Sequence, residues 1–188
     1  MPADKYQMIY YKPIELDYYD TIVRKCLTYV KTIDTAYNRM LPRASWYNLA
    51  LTTLLSECPE LILAFKKYDL KPVMAAVYIM YHPAHTSIHA DNFFSQARIN
   101  LPLLNCKNTY TNFYESKSEP IKWINPDSGL ISYNVQGDYT LVDRVEIIQA
   151  TIIRTKVLHS VDLPIDNPVP RITLTLGFDK DPVFLLDT

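Results

Sequence analysis

The most informative stretch of this sequence is IHADNFFSQARINLPLL, residues 88–104. Its start places the imidazole of His89 and the carboxylate of Asp91 two residues apart. In an extended segment residues i and i+2 project to the same side, so both side chains can reach a single ion. The end of the stretch alternates, with Arg98 and Asn100 on one face and apolar residues on the other, which predicts a β-strand.

A third metal ligand is expected from the C-terminal half, where His159 is the sole histidine and follows a predicted strand, 151–158. His89, Asp91 and His159, called the triad below, would form a facial set that leaves three positions of an iron(II) ion open for co-substrate and dioxygen. Arg171 opens a later predicted strand. A guanidinium grips a carboxylate through two parallel hydrogen bonds, so we expect Arg171 to hold the distal carboxylate of 2-oxoglutarate.

The N-terminal part of the chain, residues 1–70, has the pattern of helices. Asp17 is the expected N-cap of a helix that runs to about Ile33, with apolar residues along one face. Further helices are expected at 46–56 and 59–67, the last of them opened by a proline in its first turn.

Residues 71–188 have the pattern of short strands separated by prolines. The predicted strands lie at 73–81, 98–104, 109–115, 129–134, 144–149, 151–158 and 171–178. Helices followed by strands indicate an α+β, mainly β fold, in which the helices buttress the outer face of an antiparallel β-sandwich or barrel. Because the sequence has no repeats and no linker, we expect a single domain, residues 1–188.

Composition and charge exclude several classes of protein. The formal net charge is -1 and no basic stripe is present, so no nucleic acid is expected as a partner. No segment reaches the roughly 20 apolar residues of a membrane span, and the start lacks the features of a signal peptide, so we expect a cytoplasmic protein without membrane association. A total of 3 glycines argues against nucleotide-binding loops. The 3 dispersed cysteines are expected to be reduced and buried.

The His-x-Asp pair, the distal histidine and the following arginine together resemble the iron(II)/2-oxoglutarate-dependent oxygenase family. The resemblance covers about residues 73–178. Arg98-Ile99-Asn100-Leu101-Pro102-Leu103 looks nearest to the aspartyl/asparaginyl β-hydroxylase-like branch, although members of that branch related to its best-known hydroxylase lack the carboxylate supplied here by Asp91. The resemblance implies a double-stranded β-helix core, which is a jelly-roll or cupin-like fold.

The resemblance also implies the roles of the site residues. The triad would bind iron(II) and carry the reaction, and Arg171 would bind 2-oxoglutarate. Arg98 matches an arginine that contacts the co-substrate in the branch named above, and Asn100 is expected in the same pocket. The implied reaction is hydroxylation by dioxygen of an unactivated C–H bond of a small amino-acid-like metabolite or a peptide side chain, with succinate and CO2 as co-products. Related halogenases leave the position of Asp91 to halide, so halogenation is not expected.

Two other functions remain open from the sequence. A metal-dependent cupin of another class would need further histidine or glutamate ligands and would not require Arg171. A non-catalytic β-sandwich would bind a partner through its tyrosine-rich surface. The roles of Tyr78 and Tyr81 are likewise open between core packing and lining the pocket, and Trp46 is expected to anchor the core or a lid.

Some candidate residues have purely structural alternatives. His82 and His85 lie close to the motif and could compete as ligands, but an intervening proline argues against the helix that would bring His85 and His89 onto one face. Arg171 could be an edge-strand charge paired with Asp162 or Asp166, and Arg98 could form a structural salt bridge. Neither alternative is excluded by the sequence alone.

Overall fold

The computed structural model describes residues 8–37, 44–91, 95–119, 121–124, 131–134 and 137–187 of the chain. The helices of this part are α1 (Tyr19–Tyr37), α2 (Leu51–Glu57) and α3 (Glu60–Lys66), and a short 3-10 helix covers Pro182–Leu185. The strands are β1 (Tyr11–Pro13), β2 (Ala44–Asn48), β3 (Pro72–Met80), β4 (Ala84–His85), β5 (His89–Asp91), β6 (Ala97–Leu104), β7 (Tyr110–Ser116), β8 (Ile121–Ile124), β9 (Ile131–Asn134), β10 (Tyr139–Val145), β11 (Thr151–Arg154), β12 (Leu158–Leu163) and β13 (Arg171–Phe178).

The described strands form two antiparallel sheets. The first sheet has the order β1-β11-β6-β13-β3-β2, and the second has the order β10-β7-β12-β5-β9-β8, with β4 paired to β12. From β3 onwards the chain passes repeatedly between the sheets, because β3, β6, β11 and β13 belong to the first while β5, β7, β10 and β12 belong to the second. This interleaving is the arrangement of a jelly roll, or double-stranded β-helix.

The central strand of the first sheet, β13, is buried along its whole length. Its side chains alternate between two environments, as the twofold period of a strand requires. The apolar set packs against the helices and comprises Ile172, Leu174 and Leu176. The other set lies on the face turned towards the second sheet, called the inner face below, and comprises Arg171, Thr173 and Thr175.

The N-terminal helices cover the outer face of the first sheet. Ile22 of α1 and Leu54 of α2 are fully buried in a cluster that includes residues of β3, β6 and β13. Phe65 of α3 meets Phe178 of β13 edge-on, with ring centroids 4.8 Å apart. Each fully buried side chain of this size contributes about 1.5–3 kcal/mol to stability, so this layer supports the sheet that carries the inner face.

A smaller apolar cluster joins the two sheets. It includes Phe113 of β7 in the second sheet and Ile153 of β11 in the first, together with Tyr10, Val145 and Ile147. All three cysteines are free and buried, as the sequence predicted. Among the described residues, no helix is long and apolar enough to cross a membrane.

The sequence predicted several of these elements correctly. The predicted strands 73–81, 98–104, 109–115 and 171–178 are confirmed as β3, β6, β7 and β13, each within two residues of the expected bounds. The helix expected from Asp17 to Ile33 is α1, which begins at Tyr19 and continues to Tyr37. The helix expected at 59–67 is α3. Of the strand expected at 129–134, the described part is β9, and the first two residues lie outside the described residues.

Three predictions of secondary structure were wrong. The helix expected at 46–56 begins only at Leu51, because residues 44–48 pair with β3 as an edge strand. The strand expected at 144–149 ends at Val145, because its pairing with β7 ends there. The register of this pairing includes an irregularity near Leu141. The single strand expected at 151–158 is two strands, since the chain bends at 155–157 and crosses to the other sheet.

Candidate metal centre

The triad is assembled by the pairing of β5 with β12. His89 lies directly opposite His159 in this antiparallel pair, and the two ring centroids are 4.6 Å apart. Asp91 follows on the same side of β5, with its Oδ1 3.5 Å from Nε2 of His89. One ligand atom from each residue lies within 4.8 Å of the others, and this is the one such histidine, cysteine and carboxylate group among the described residues.

Backbone carbonyls fix both imidazoles in the orientation that a metal site requires. Nδ1 of His89 lies 2.8 Å from the Ser87 carbonyl, and Nδ1 of His159 lies 2.9 Å from the Val157 carbonyl. A carbonyl oxygen can only accept a hydrogen bond, so each Nδ1 carries the proton and each Nε2 keeps its lone pair. This partner on the non-ligating nitrogen is the usual support of a metal-bound histidine.

The electrostatics of Asp91 and His159 favour the charge states of a metal-ligand set, whereas those of His89 favour its protonated form. Burial opposes ionisation of Asp91, but its hydrogen bond with His89 and the charges of His159, His89 and Arg98 lower its pKa below the ordinary value. Burial lowers the pKa of His159, and the neighbouring His89 adds to this effect. For His89, burial is outweighed by the hydrogen bond and charge of Asp91, which raise the pKa. Because an anionic carboxylate and neutral imidazoles are the forms that bind a cation, His89 would release a proton when a metal binds.

The backbone also anchors the carboxylate end of β5. The amide of Asp91 donates a 2.8 Å hydrogen bond to the carbonyl of Thr155, and the amide of Thr155 donates one of 2.9 Å to Gln96. These contacts attach β5 to the bend between β11 and β12 and to the residue that precedes β6. Asp91 is therefore held by segments that lead into both sheets.

Arg171 lies on the inner face at the start of β13 and is 2% exposed. Its Nε donates a 3.0 Å hydrogen bond to Oγ1 of Thr109. Its charge also acts on Tyr78 of the neighbouring strand, whose pKa burial raises to about 12 against the opposing effect of Arg171. The structural alternative is not observed, because Arg171 forms no ion pair with Asp162 or Asp166 in the part of the chain that the structure describes. Asp162 instead lies 3.7 Å from Nη2 of Arg144.

Arg98 and Asn100 lie on the inner face of β6. Arg98 is 4% exposed, and its guanidinium carbon lies 5.7 Å from the ring centroid of Trp46 on β2. Burial lowers the pKa of Arg98 to about 10, while the charge of Asp91 acts in the opposite direction. Asn100 accepts a 2.9 Å hydrogen bond from Oγ1 of Thr175, so its side chain is oriented on the same face.

The two competing histidines lie away from the triad. His82 is exposed in the turn before β4. His85 on β4 is exposed as well, and its Nδ1 lies 3.9 Å from Asp162. Neither belongs to the group of ligand atoms described above.

No protein-family model matches this sequence, and no curated protein matches it. Two solved structures are similar in fold. HygX from Streptomyces hygroscopicus, with nickel and 2-oxoglutarate bound, gives a TM-score of 0.51 at 8% identity over 89% of this chain and 81% of its own. SnoN, a non-haem α-ketoglutarate-dependent epimerase from nogalamycin biosynthesis, gives a TM-score of 0.50 at 12% identity over 95% of this chain and 83% of its own.

This chain has the fold of these two proteins. The resemblance to iron(II)/2-oxoglutarate oxygenases is therefore confirmed at the level of the fold, and so is the double-stranded β-helix expected from it. Kinship with the aspartyl/asparaginyl β-hydroxylase-like branch stays a prediction, as do the roles of the individual site residues.

Sequence reasoning missed two contributors to the inner face. Thr109 orients Arg171 from outside β13, and nothing in its local pattern distinguishes it from an ordinary threonine near the start of a strand. Trp46 was placed in a predicted helix, yet β2 pairs it with Tyr78 and so carries it onto the inner face. The adjacent aromatic residues Trp46 and Tyr47 are the signal that favours a strand there.

Proposed function

We propose that this protein is a non-haem iron(II), 2-oxoglutarate-dependent oxygenase that hydroxylates an unactivated C–H bond. The observation that carries the proposal is the convergence of His89, Asp91 and His159 on one point, with both Nε2 atoms available and Arg171 buried on the opposing sheet. Nickel and 2-oxoglutarate in HygX, and the α-ketoglutarate dependence of SnoN, support the same chemistry for this fold.

The donor set fits iron(II). If His89, Asp91 and His159 held an iron(II) ion, positions would remain for two oxygens of 2-oxoglutarate and for dioxygen. Bound iron with 2-oxoglutarate supplies an oxidation in which one oxygen atom of dioxygen enters the substrate and the other enters succinate, with release of CO2.

The residues of the chain position the reactants. The carbonyls of Ser87 and Val157 hold the two imidazoles, and the amide contact to Thr155 holds Asp91. Arg171, oriented by Thr109, presents a fixed cation to the distal carboxylate of 2-oxoglutarate. The joined sheets exclude water around these charges, which strengthens their interactions with a bound diacid.

The prime substrate is proposed to be a small amino-acid-like metabolite or a peptide side chain. Succinate formation from 2-oxoglutarate, measured with iron(II) against a panel of amino acids, peptides and metabolites, tests both the reaction and the substrate class. A compound that stimulates turnover and gains one oxygen atom by mass spectrometry identifies the substrate.

Binding measurements separate this proposal from its two rivals. Calorimetric titration with Ni(II) and then with 2-oxoglutarate is expected to show both ligands binding, with 2-oxoglutarate binding dependent on the metal. A cupin of another class would bind the metal alone, and a non-catalytic β-sandwich would bind neither ligand. Either of these two results would contradict the proposed function.

A further inference from the structure

Two buried arginines lie at opposite ends of the inner face of the first sheet. Arg171 opens β13, whereas Leu176 near the other end of β13 pairs with Ile99 of β6. Arg98, the neighbour of Ile99, is therefore about six residues from Arg171 along the strand direction, or roughly 20 Å at about 3.3 Å per residue. Because their backbone positions are so far apart, we expect the two arginines to contact different ligands.

The register of the second sheet places the triad between these cations. Thr109, which accepts the hydrogen bond from Arg171, precedes Phe113 by four residues, and Phe113 lies opposite His159. Strands β5 and β7 are both antiparallel to β12 and so run in the same direction. Asp91 consequently extends beyond the histidines, away from Thr109, and it is the charge of Asp91 that acts on Arg98.

This order along the barrel assigns different ligands to its two ends. If Arg171 holds the distal carboxylate of 2-oxoglutarate, the co-substrate occupies the space between Arg171 and the triad. The end that contains Arg98 is then left for the prime substrate, beside the metal ligand Asp91. This step rests on the proposed function, because it takes the binding site of 2-oxoglutarate from it.

The charge balance at this end changes when a metal binds. Without a metal, Asp91 supplies the negative charge that acts on Arg98. A divalent cation held by Asp91 would interact with the same negative charge and would add two positive charges nearby. The bound cation and the Arg98 guanidinium would then be two positive charges near each other, so an anionic ligand between them is favoured in the loaded protein.

The surroundings of Arg98 select the shape of that ligand. The ring centroid of Trp46 lies 5.7 Å from the guanidinium carbon, and the indole Nε1 donates a 3.3 Å hydrogen bond to Oδ1 of Asn48. A guanidinium carries parallel N–H donors that match the two oxygens of a carboxylate, and a nearby indole adds a cation–π contact. Because Arg98 is 4% exposed, the end of a small molecule can reach it more readily than the middle of a peptide.

We propose that Arg98, backed by Trp46, binds a terminal carboxylate of the prime substrate, which is therefore a small organic acid. The carboxylate would fix one end of the substrate and place its C–H bond beside the triad. The experiment must distinguish this proposal from the sequence-based expectation that Arg98 contacts 2-oxoglutarate.

The test uses simple acids as probes of the protein loaded with Zn(II) and 2-oxoglutarate, a combination that does not react with dioxygen. Acetate, propionate and isobutyrate are titrated up to tens of millimolar, each against its primary amide, while tryptophan fluorescence is recorded. We expect a saturable response to the acids and none to the amides. The Trp46→Phe variant should lose the response, because Trp46 is the indole beside Arg98.

Variants of Arg98 then assign the response. Arg98→Gln removes the charge and should weaken acid binding by about 30-fold or more, while the affinities for Zn(II) and 2-oxoglutarate change by a small factor. Arg98→Lys should recover part of the acid binding. Arg154→Gln is the matched control, because Arg154 lies on β11 next to the strand of Arg98 but forms its ion pair with Asp187.

The other possible results of these titrations show which of the two proposals is wrong. Equal responses to acids and amides, or no response from wild-type protein that holds both Zn(II) and 2-oxoglutarate, would overturn this inference and leave the proposed function intact. Loss of 2-oxoglutarate binding in Arg98→Gln would show that Arg98 binds the co-substrate. Loss of Zn(II) binding in the same variant would show that Arg98 only supports Asp91. Wild-type protein that binds neither Zn(II) nor 2-oxoglutarate would overturn both proposals. If Arg98→Gln does not fold, the acid and amide comparison on the wild type and Trp46→Phe decides the matter.

Discussion

His89 and His159, seventy residues apart in the chain, lie directly opposite each other in the antiparallel pair of β5 and β12, with ring centroids 4.6 Å apart. Opposed residues of neighbouring strands share a face, so this one register brings both imidazoles to the same point. A shift of one residue in either strand would turn one imidazole to the other face of the sheet. The metal centre therefore depends on the correct pairing of these two strands.

Removal of one imidazole should abolish tight metal binding. Changes to residues that merely support a ligand typically cost 10–100-fold in metal affinity, so His159→Ala should cost more than about 100-fold. Calorimetric titration with Ni(II) measures this change, and iron-dependent succinate formation should disappear with it. Thermal unfolding of the metal-free protein checks that the fold is retained.

His85→Ala is the matched control for the metal prediction. His85 is exposed on β4 and contacts Asp162 rather than the triad, so this variant should bind Ni(II) like the wild type. Metal binding lost in His85→Ala but kept in His159→Ala would show that the wrong histidines have been chosen.

Loss of the Arg171 guanidinium should weaken 2-oxoglutarate without affecting the metal. A truncated charge pair in a buried site costs about 2–5 kcal/mol, so Arg171→Ala should lower the affinity by about 30-fold or more. Arg171→Lys should recover part of it, because an ammonium cannot reproduce the two parallel hydrogen bonds. Thr109→Val, which removes the acceptor for Nε, should have a smaller effect in the same direction.

Arg98→Ala provides the comparison for the co-substrate prediction. It should weaken 2-oxoglutarate less than Arg171→Ala in the same calorimetric titration. If Arg98→Ala proves the more damaging change and Arg171→Ala binds normally, the polarity of the pocket is the reverse of the one proposed, while the metal assignment stands.

Asp91 predicts the class of reaction. Its carboxylate lies with the two imidazoles of the triad, so at the proposed metal centre it would occupy the place that a halide would need. The product should therefore be hydroxylated, desaturated or cyclised, all of which begin with hydrogen abstraction. Mass spectrometry of product formed in chloride buffer should show no chlorine, and a chlorinated product from unmodified protein would contradict this prediction.

The sequence predicted the local part of the site well. The spacing of His89 and Asp91 requires only that residues i and i+2 of a strand share a face. The alternation around Arg98 and Asn100 likewise gives the correct strand, although both faces of β6 are buried rather than one. Such features depend on neighbouring residues and are visible in a short stretch of sequence.

Pairing between distant segments could not be predicted in the same way. Residues 151–158 have a continuous strand pattern, yet the chain bends at 155–157 because β11 and β12 pair in different sheets. His159 is therefore the second residue of a new strand rather than the residue that follows one. Trp46 was predicted in a helix but lies in an edge strand. Its pairing with Tyr78 joins distant segments and is not visible in the local sequence.

Tyr78 offers a prediction that depends on pH. Burial raises the pKa of Tyr78 to about 12, whereas the charge of Arg171 lowers it. A raised pKa favours the neutral phenol, so its hydroxyl stays a hydrogen-bond donor beyond pH 10, where an ordinary tyrosine ionises. If this donor supports the distal carboxylate together with Arg171, the affinity for 2-oxoglutarate should show no loss from Tyr78 ionisation between about pH 8 and about pH 10.

Subtracting the pH titration of tyrosinate absorbance in Tyr78→Phe from that of the wild type gives the ionisation of Tyr78 separately from the other tyrosines. Tyrosinate absorbance in the difference titration should develop only above the ordinary pKa of about 10. Arg171→Ala should move the ionisation of Tyr78 to still higher pH, because the cation that opposes the effect of burial is removed. If the difference titration is centred near the ordinary pKa of about 10 and Arg171→Ala does not change it, Tyr78 is exposed to water and remote from Arg171. In that case Tyr78 does not line the pocket proposed for 2-oxoglutarate.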